Sequence, residues 1–300
     1  MMSNYNTPYD DSFRTLLTDC KRLVVPLVNE MFGESWHESE HVELYQNEVF
    51  ITTGVDKKRV TDSNFTIGES HRYHIECQSS TDGTMTVRIF EYATQVAITT
   101  AEFDVSQTVF TMPASGILYL RCNDKTPDYH TIVVNTPGGG VSYKVPVVKI
   151  RNYSLDELLK KRLFFLIPFY FFNYPLKELE HNSDMIEKMK NTYLKLWNDL
   201  EILVQQNKLS EFEKSAIKAM CEKVAQALTD NYDNVKEGVS IVMGGQVLDY
   251  EAKRIRNDRD TIAVFNMLLL GNDEQKVQEL YPEQFEAGKK LFEESRQVNA

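Results

Sequence analysis

Thr61-Asp62-Ser63-Asn64-Phe65-Thr66-Ile67, followed by Tyr73-His74-Ile75-Glu76-Cys77-Gln78, is the stretch whose reading decides the fold. It reads as two neighbouring strands with an acid on each. Gly68-Glu69-Ser70 falls where a turn is needed, so the strands are expected to pair antiparallel. Asp62 comes early in the first strand and Glu76 late in the second, which brings the two carboxylates to the same end. Gln78 follows two residues on, on the same strand face as Glu76. Hard oxygen ligands converging from different strands are what a divalent cation requires.

Lys57, Lys58 and Arg59 lead into the Asp62 strand as a small basic cluster, after a turn expected at Gly54 to Lys58. Such cations belong to a solvated turn or, beside a metal, offset the charge of a scissile phosphate. On the other side, Ser79 to Gly83 reads as a loop, and Met85, Arg88, Ile89, Tyr92, Val96 and Thr99 mark a helix. Arg88 and Tyr92 are four apart and share one face. If that helix packs on the sheet, Arg88 comes within reach of a phosphate oxygen; otherwise it is a surface arginine. Val42 to Ile51 alternates as a half-buried strand. Val109 to Met112, Ile117 to Cys122, Thr131 to Asn135 and Val141 to Ile150 are further strand-like runs, with Pro137-Gly138-Gly139-Gly140 as a tight turn. Upstream, Asp10 or Asp11 can cap a helix beginning near Ser12, broken or kinked at Pro26 and ended by Gly33.

From Ser154 onward the signals are helical. Ser154 with Glu157, and Ser210 with Glu213, form capping boxes. Amphipathic runs follow over 183–206, 210–231, 235–256 (interrupted by Gly244-Gly245), 258–270 and 274–297. The expected architecture is α+β: a mixed-sheet core flanked by helices over residues 1–152, followed by a largely helical region over 153–300.

Composition sets the bounds. Three hundred residues allow a sizeable core. A formal charge of -11 counts against a dedicated nucleic-acid binder, but not against an enzyme with one local basic patch. The four cysteines are scattered without a C-x-x-C pair, which points to reduced thiols and a cytoplasmic chain. Met1 to Asp11 has no apolar run, unlike a signal peptide. Leu163 to Phe172, the most apolar stretch, is short and broken by Pro168, so it reads as core rather than a membrane span.

His37-Glu38-Ser39-Glu40-His41 matches H-E-x-x-H. In zinc hydrolases the two histidines lie one helical turn apart and the glutamate activates water. That reading needs residues 34 to 44 to be helical. Gly33 just before, the surrounding acids and the strand signal just after favour an acidic loop.

The site expected at the two strands is that of a metal-dependent phosphodiesterase, although two acids and a glutamine on strands are not by themselves a specific signal. Asp62 and Glu76 are the expected ligands of Mg²⁺ or Mn²⁺, with the carbonyl of Cys77 as a third, and Gln78 orients a water or a phosphate oxygen.

Several stretches carry a resemblance. Asp10-Asp11-Ser12-Phe13-Arg14, Arg59-Val60-Thr61-Asp62 with Phe65-Thr66, Tyr73 to Ser79 with its E-x-Q, and Val87 to Tyr92 occur in that order. Together with Thr136-Pro137-Gly138-Gly139, Val145-Pro146-Val147, Phe165 to Tyr170 and Val242-Met243-Gly244-Gly245, they resemble the PD-(D/E)XK nuclease superfamily. More closely, they resemble its recombination-promoting nuclease or putative transposase family, found in bacteria. The resemblance covers roughly residues 9 to 257. It implies an αβββαβ core, Mg²⁺-dependent cleavage of DNA and a link to recombination or mobile elements. It carries the metal acids onto Asp62 and Glu76. Gln78 stands where the superfamily signature has lysine, and glutamine has no charge with which to stabilise a transition state. Asp10 matches an N-terminal acid, either a third acid near the metal or a helix cap. The alternative reading is a weakly active or inactive nuclease fold serving as an interaction module, whose helical half pairs with a partner or another copy of the chain.

Overall fold

The computed structural model describes residues 7–45, 48–53, 55–60, 63–79 and 84–298, with side chains described at all of these except 48–53, 55–60 and 297–298. Helix α1 (Pro8–Asp19) begins four residues before the expected Ser12. Its cap is Thr7 rather than Asp10 or Asp11. The Thr7 hydroxyl accepts the Asp10 N–H, and the Asp10 carboxylate accepts the Thr7 N–H at 3.1 Å. Pro8 fits the first turn because an N–H there has no helical acceptor. The chain breaks at Cys20 and makes a 3-10 turn at Lys21–Leu23 before α2 (Val24–Phe32). The break therefore precedes Pro26, which sits in the first turn of α2, where proline is tolerated. Gly33, with φ +70°, ends α2 in the left-handed conformation.

Strands follow as β1 (Val42–Leu44), β2 (Glu48–Thr53), β3 (Val55–Val60), β4 (Phe65–Ile67) and β5 (His71–Gln78), then α3 (Met85–Thr99). The single strand expected over 42–51 is thus two. Lys57, Lys58 and Arg59 lie on β3 rather than in a turn, and β2 and β3 pair as a separate antiparallel ribbon. The strand expected over 61–67 is observed at Phe65–Ile67. A small hairpin, β6 (Glu102–Phe103) and β7 (Thr108–Val109), precedes β8 (Ala114–Tyr119), β9 (Tyr129–Thr136) and β10 (Gly139–Lys149).

The main sheet has six strands in the order β1-β4-β5-β8-β10-β9. β4 pairs antiparallel with β5, Phe65 facing Tyr73, as the turn at Gly68 implied. β5 runs parallel to β8, and α3 makes the crossover that parallel neighbours require. Glu76 faces Ile117 and Gln78 faces Tyr119, so His74, Glu76 and Gln78 share one side of the sheet with those residues. That side packs on α3 through Met85 and Ile89. The other side, with Tyr73, Ile75 and Cys77, joins the main core with α1 and α2.

The rest is helical: α4 (Leu155–Lys160), α5 (Leu176–Leu179), α6 (Ser183–Gln205), α7 (Glu211–Leu228), α8 (Asp233–Met243), α9 (Gln246–Leu269), α10 (Glu274–Leu280) and α11 (Phe285–Val298). Both expected capping boxes form, Ser154 with Glu157 and Ser210 with Glu213. α9 runs straight through Asp258, where a boundary was expected. The apolar stretch Phe164–Asn173 folds as buried 3-10 turns. Its side chains and those of α7 share one core with Phe13 and Leu16 of α1, so burial is continuous across residue 152. Among the described residues no helix is long and apolar enough to cross a membrane.

Candidate functional site

β5 runs through the middle of the sheet and delivers Glu76 to a buried position, 6% exposed. A carboxylate this far from water needs partners. His74, two residues earlier on the same face and fully buried, donates from Nε2 to Glu76 Oε1 at 2.9 Å. Arg88 on α3 brings Nη2 to 3.8 Å from Glu76 Oε2. One turn later on α3, Tyr92 packs its ring on His74, centroids 4.1 Å apart. Arg88 and Tyr92 therefore both face β5, and Arg88 reaches the acid instead of merely covering the surface.

The β4 side of β5 is organised by Ser63. Its hydroxyl accepts the Ile75 N–H and donates to the Ile75 carbonyl, both at 2.8 Å. Toward β8, the Gln78 carbonyl accepts the Leu120 N–H at 2.8 Å. Backbone groups alternate along a strand, so the Cys77 carbonyl points to the edge where Ser63 sits. The Cys77 thiol is buried in the core on the other face of the sheet. Gln78 lies further along the Glu76 face and is half-buried. Asp62 lies outside the described residues; Ser63 is its neighbour in the chain.

Asp10 has two roles that were weighed as alternatives. It closes the capping box of α1, and it lies within the field of Glu76. Burial raises its carboxyl pKa above the usual range and the Glu76 charge adds to this, while Thr7 and Arg14 act in the opposite direction. The Lys57, Lys58 and Arg59 side chains are outside the described set, so only their place on β3 is fixed.

Asn64 Oδ1, His74 Nδ1 and Arg88 Nε are buried without a hydrogen-bond partner among the described residues. Continuing the register of β4 and β5 sets Asn64 opposite His74. Each such group costs about 1–3 kcal/mol, and a water or ion completes it when present. For a divalent cation the donors have the right hardness: the Glu76 carboxylate, the Cys77 carbonyl and the orphaned Asn64 Oδ1 are all oxygens. Among the described residues no three His, Cys, Asp or Glu groups converge.

The H-E-x-x-H segment is turn, not helix. His37 Nδ1 accepts the Ser39 N–H at 3.3 Å, and Glu38 pairs with Arg162 at 2.7 Å. The one-turn spacing that lets two histidines share a zinc ion does not exist there. His37 and Glu38 line a cleft of about 610 Å³ in which Lys161 pairs with Glu30 at 2.5 Å and Arg162 with Glu38. Arg162 Nε is buried there without a hydrogen-bond partner among the described residues.

Reasoning from sequence passed over His74, Ser63, Asn64 and Arg14. The alternation that picked out Gln78 after Glu76 applies equally to His74 before it. No family model, curated protein or solved structure matches this chain.

Proposed function

We propose that this chain is a metal-dependent endonuclease acting on DNA, with Glu76 as the central acid. The observation that carries the reading is the buried Glu76 carboxylate on the central strand, with Asp10 in its field and Arg88 reaching it from the crossover helix. The element order α1–α2, β1, β4, β5, α3, β8 supports it, being the αβββαβ order that the PD-(D/E)XK resemblance implies. So does Ser63: one peptide bond from Asp62, it is fixed to Ile75, one peptide bond from Glu76. Glu76, the Cys77 carbonyl and Asp62 would hold Mg²⁺ or Mn²⁺. The bound ion would lower the pKa of a coordinated water and offset charge developing on phosphorus. Gln78 orients that water or a phosphate oxygen through its amide. Arg88 takes a second phosphate oxygen once Glu76 turns to the ion, and Lys57, Lys58 and Arg59 contact the DNA backbone. A link to recombination or mobile elements follows from the resemblance alone.

One observation favours the second reading, an inactive nuclease fold acting as an interaction module. Both Glu76 oxygens already face protein groups, His74 and Arg88. Calorimetric titration with Mn²⁺ separates the two readings. The nuclease binds Mn²⁺, with affinity reduced about tenfold or more in Glu76→Gln and in Asp62→Asn, which is about 1.4 kcal/mol. A chain that takes up no Mn²⁺ is the interaction module.

A further inference from the structure

α9 carries a row of aliphatic side chains turned away from the body of the protein. Leu248, Ile255, Ile262 and Leu269 recur every seventh residue and are 78%, 66%, 54% and 59% exposed. Tyr250, Val264 and Leu268, on the opposite side of the helix, are buried. A seven-residue repeat drifts by only about 20° per heptad, so the four side chains form one seam along a helix about 36 Å long. Four residues after the first three of them come Ala252, Arg259 and Asn266, which complete the alternating spacing of a helix pair.

We propose that α9 is a dimerisation helix that pairs, parallel and in register, with α9 of a second copy of this chain. The charges beside the seam choose this occupant and this direction. In a parallel pair the residue before one seam position meets the partner's residue five further on. Glu251 then meets Arg256, and the two-fold axis makes the contact twice. Asp258 flanks the seam beside the second copy's Arg259. Arg259 and Asn266 each face their own equivalents: the Asp258 carboxylates beside the two guanidiniums offset their charge, and the two amides pair and fix register. An antiparallel pair centred on the seam sets Glu251 against Asn266 and Arg256 against Thr261, so the Glu251–Arg256 contacts are lost and only the Asp258–Arg259 contacts remain. Within one helix Glu251 is 3.5 Å from Arg254 and Arg259 is 2.8 Å from Asp260. Asp260 is half-buried, while the side chains of Glu251, Arg254 and Arg259 are open to a second copy's charges. The inference is independent of the chemistry at Glu76.

Sedimentation velocity of the full chain over a dilution series tests it. The parent sediments at twice the chain mass at the higher concentrations. Ile255→Glu with Ile262→Glu sediments at one chain mass, with an unchanged far-ultraviolet circular dichroism spectrum because both side chains face solvent. Glu251→Arg weakens the dimer about fivefold, and adding Arg256→Glu restores it. Asn266→Cys forms a disulfide-linked dimer under mild oxidation. A parent that stays at one chain mass overturns the proposal, as does a dimer indifferent to the isoleucine changes. A dimer without the Asn266→Cys cross-link, or without the charge-swap rescue, overturns the parallel register.

Discussion

Replacing Glu222 probes how the helical half is held at its corner. Glu222 lies on α7 and is 5% exposed. Its Oε1 accepts the Gly245 N–H at 3.1 Å and its Oε2 accepts the Val247 N–H at 2.8 Å, and Gln226 donates a third bond at 2.9 Å. One N–H is that of Gly245, the cap that turns the chain at φ +86°, and the other belongs to Val247 in the first turn of α9. Glu222→Ala leaves both without an acceptor, at about 1–3 kcal/mol each, and removes a negative charge from a helix N-terminus, about 0.3–1 kcal/mol. We expect a total loss near 4 kcal/mol, or a drop of about 8 °C in Tm at roughly 2 °C per kcal/mol for a chain of this size. Glu222→Gln keeps one oxygen acceptor and is expected to lose about half as much. Urea unfolding followed by circular dichroism reads both. A loss below about 1 kcal/mol for Glu222→Ala refutes the reasoning, since it means water replaces the carboxylate at no penalty.

Gly116 on β8 has no room for a methyl group: an added Cβ would lie 2.1 Å from Met31 Sδ and 3.1 Å from Phe32 Cζ. Gly116→Ala is expected to cost about 1–3 kcal/mol by forcing α2 off the sheet, visible as a lower urea midpoint. Asp19 accepts the Tyr250 hydroxyl, and burial raises its carboxyl pKa despite that bond. A raised folded-state pKa means its contribution to stability is full below the ordinary carboxylate value near 4 and is lost as pH rises through the folded value. The urea midpoint of the parent, compared with Asp19→Asn, should therefore fall across that window, and a profile the substitution leaves unaltered contradicts the assignment. Arg88→Met is expected to lower DNA cleavage on the order of tenfold or more while leaving Mn²⁺ affinity unchanged or higher, because it removes a cation that competes for Glu76. A cleavage rate equal to the parent's shows that Arg88 has no part in the reaction.

Much of the fold was legible because local chemistry and tertiary placement agree. The Gly68 turn, the β5 strand, α3 from Met85, and the Ser154 and Ser210 caps all formed where the sequence put them. The misses have separate causes. The run Val55 to Val60 has no period-two apolar signal, and its strand comes from backbone pairing with β2. Asp258 was taken for a boundary, but one aspartate in an exposed helix position costs only a few tenths of a kcal/mol, far too little to stop α9. Thr7 and Asp10 form a T-x-x-D capping signature that was passed over in favour of the acids themselves. At the candidate site, Glu76, Arg88 and Tyr92 were legible as types on strand and helix faces. His74 shares the strand face that picked out Gln78 and was passed over all the same, whereas Ser63 has no spacing signal, because its importance comes from the strand across from it.

Cleavage of supercoiled plasmid with Mg²⁺ or Mn²⁺ tests the central proposal most directly, comparing the parent with Glu76→Ala and Asp62→Ala. Loss of one ligand should lower the rate on the order of a hundredfold or more, about 2.7 kcal/mol. Nicking by the parent that disappears in both variants, with the circular dichroism spectrum retained, is the expected result. Nicking that persists in Glu76→Ala, or a parent that leaves the plasmid intact with every divalent ion, contradicts a nuclease built on Glu76.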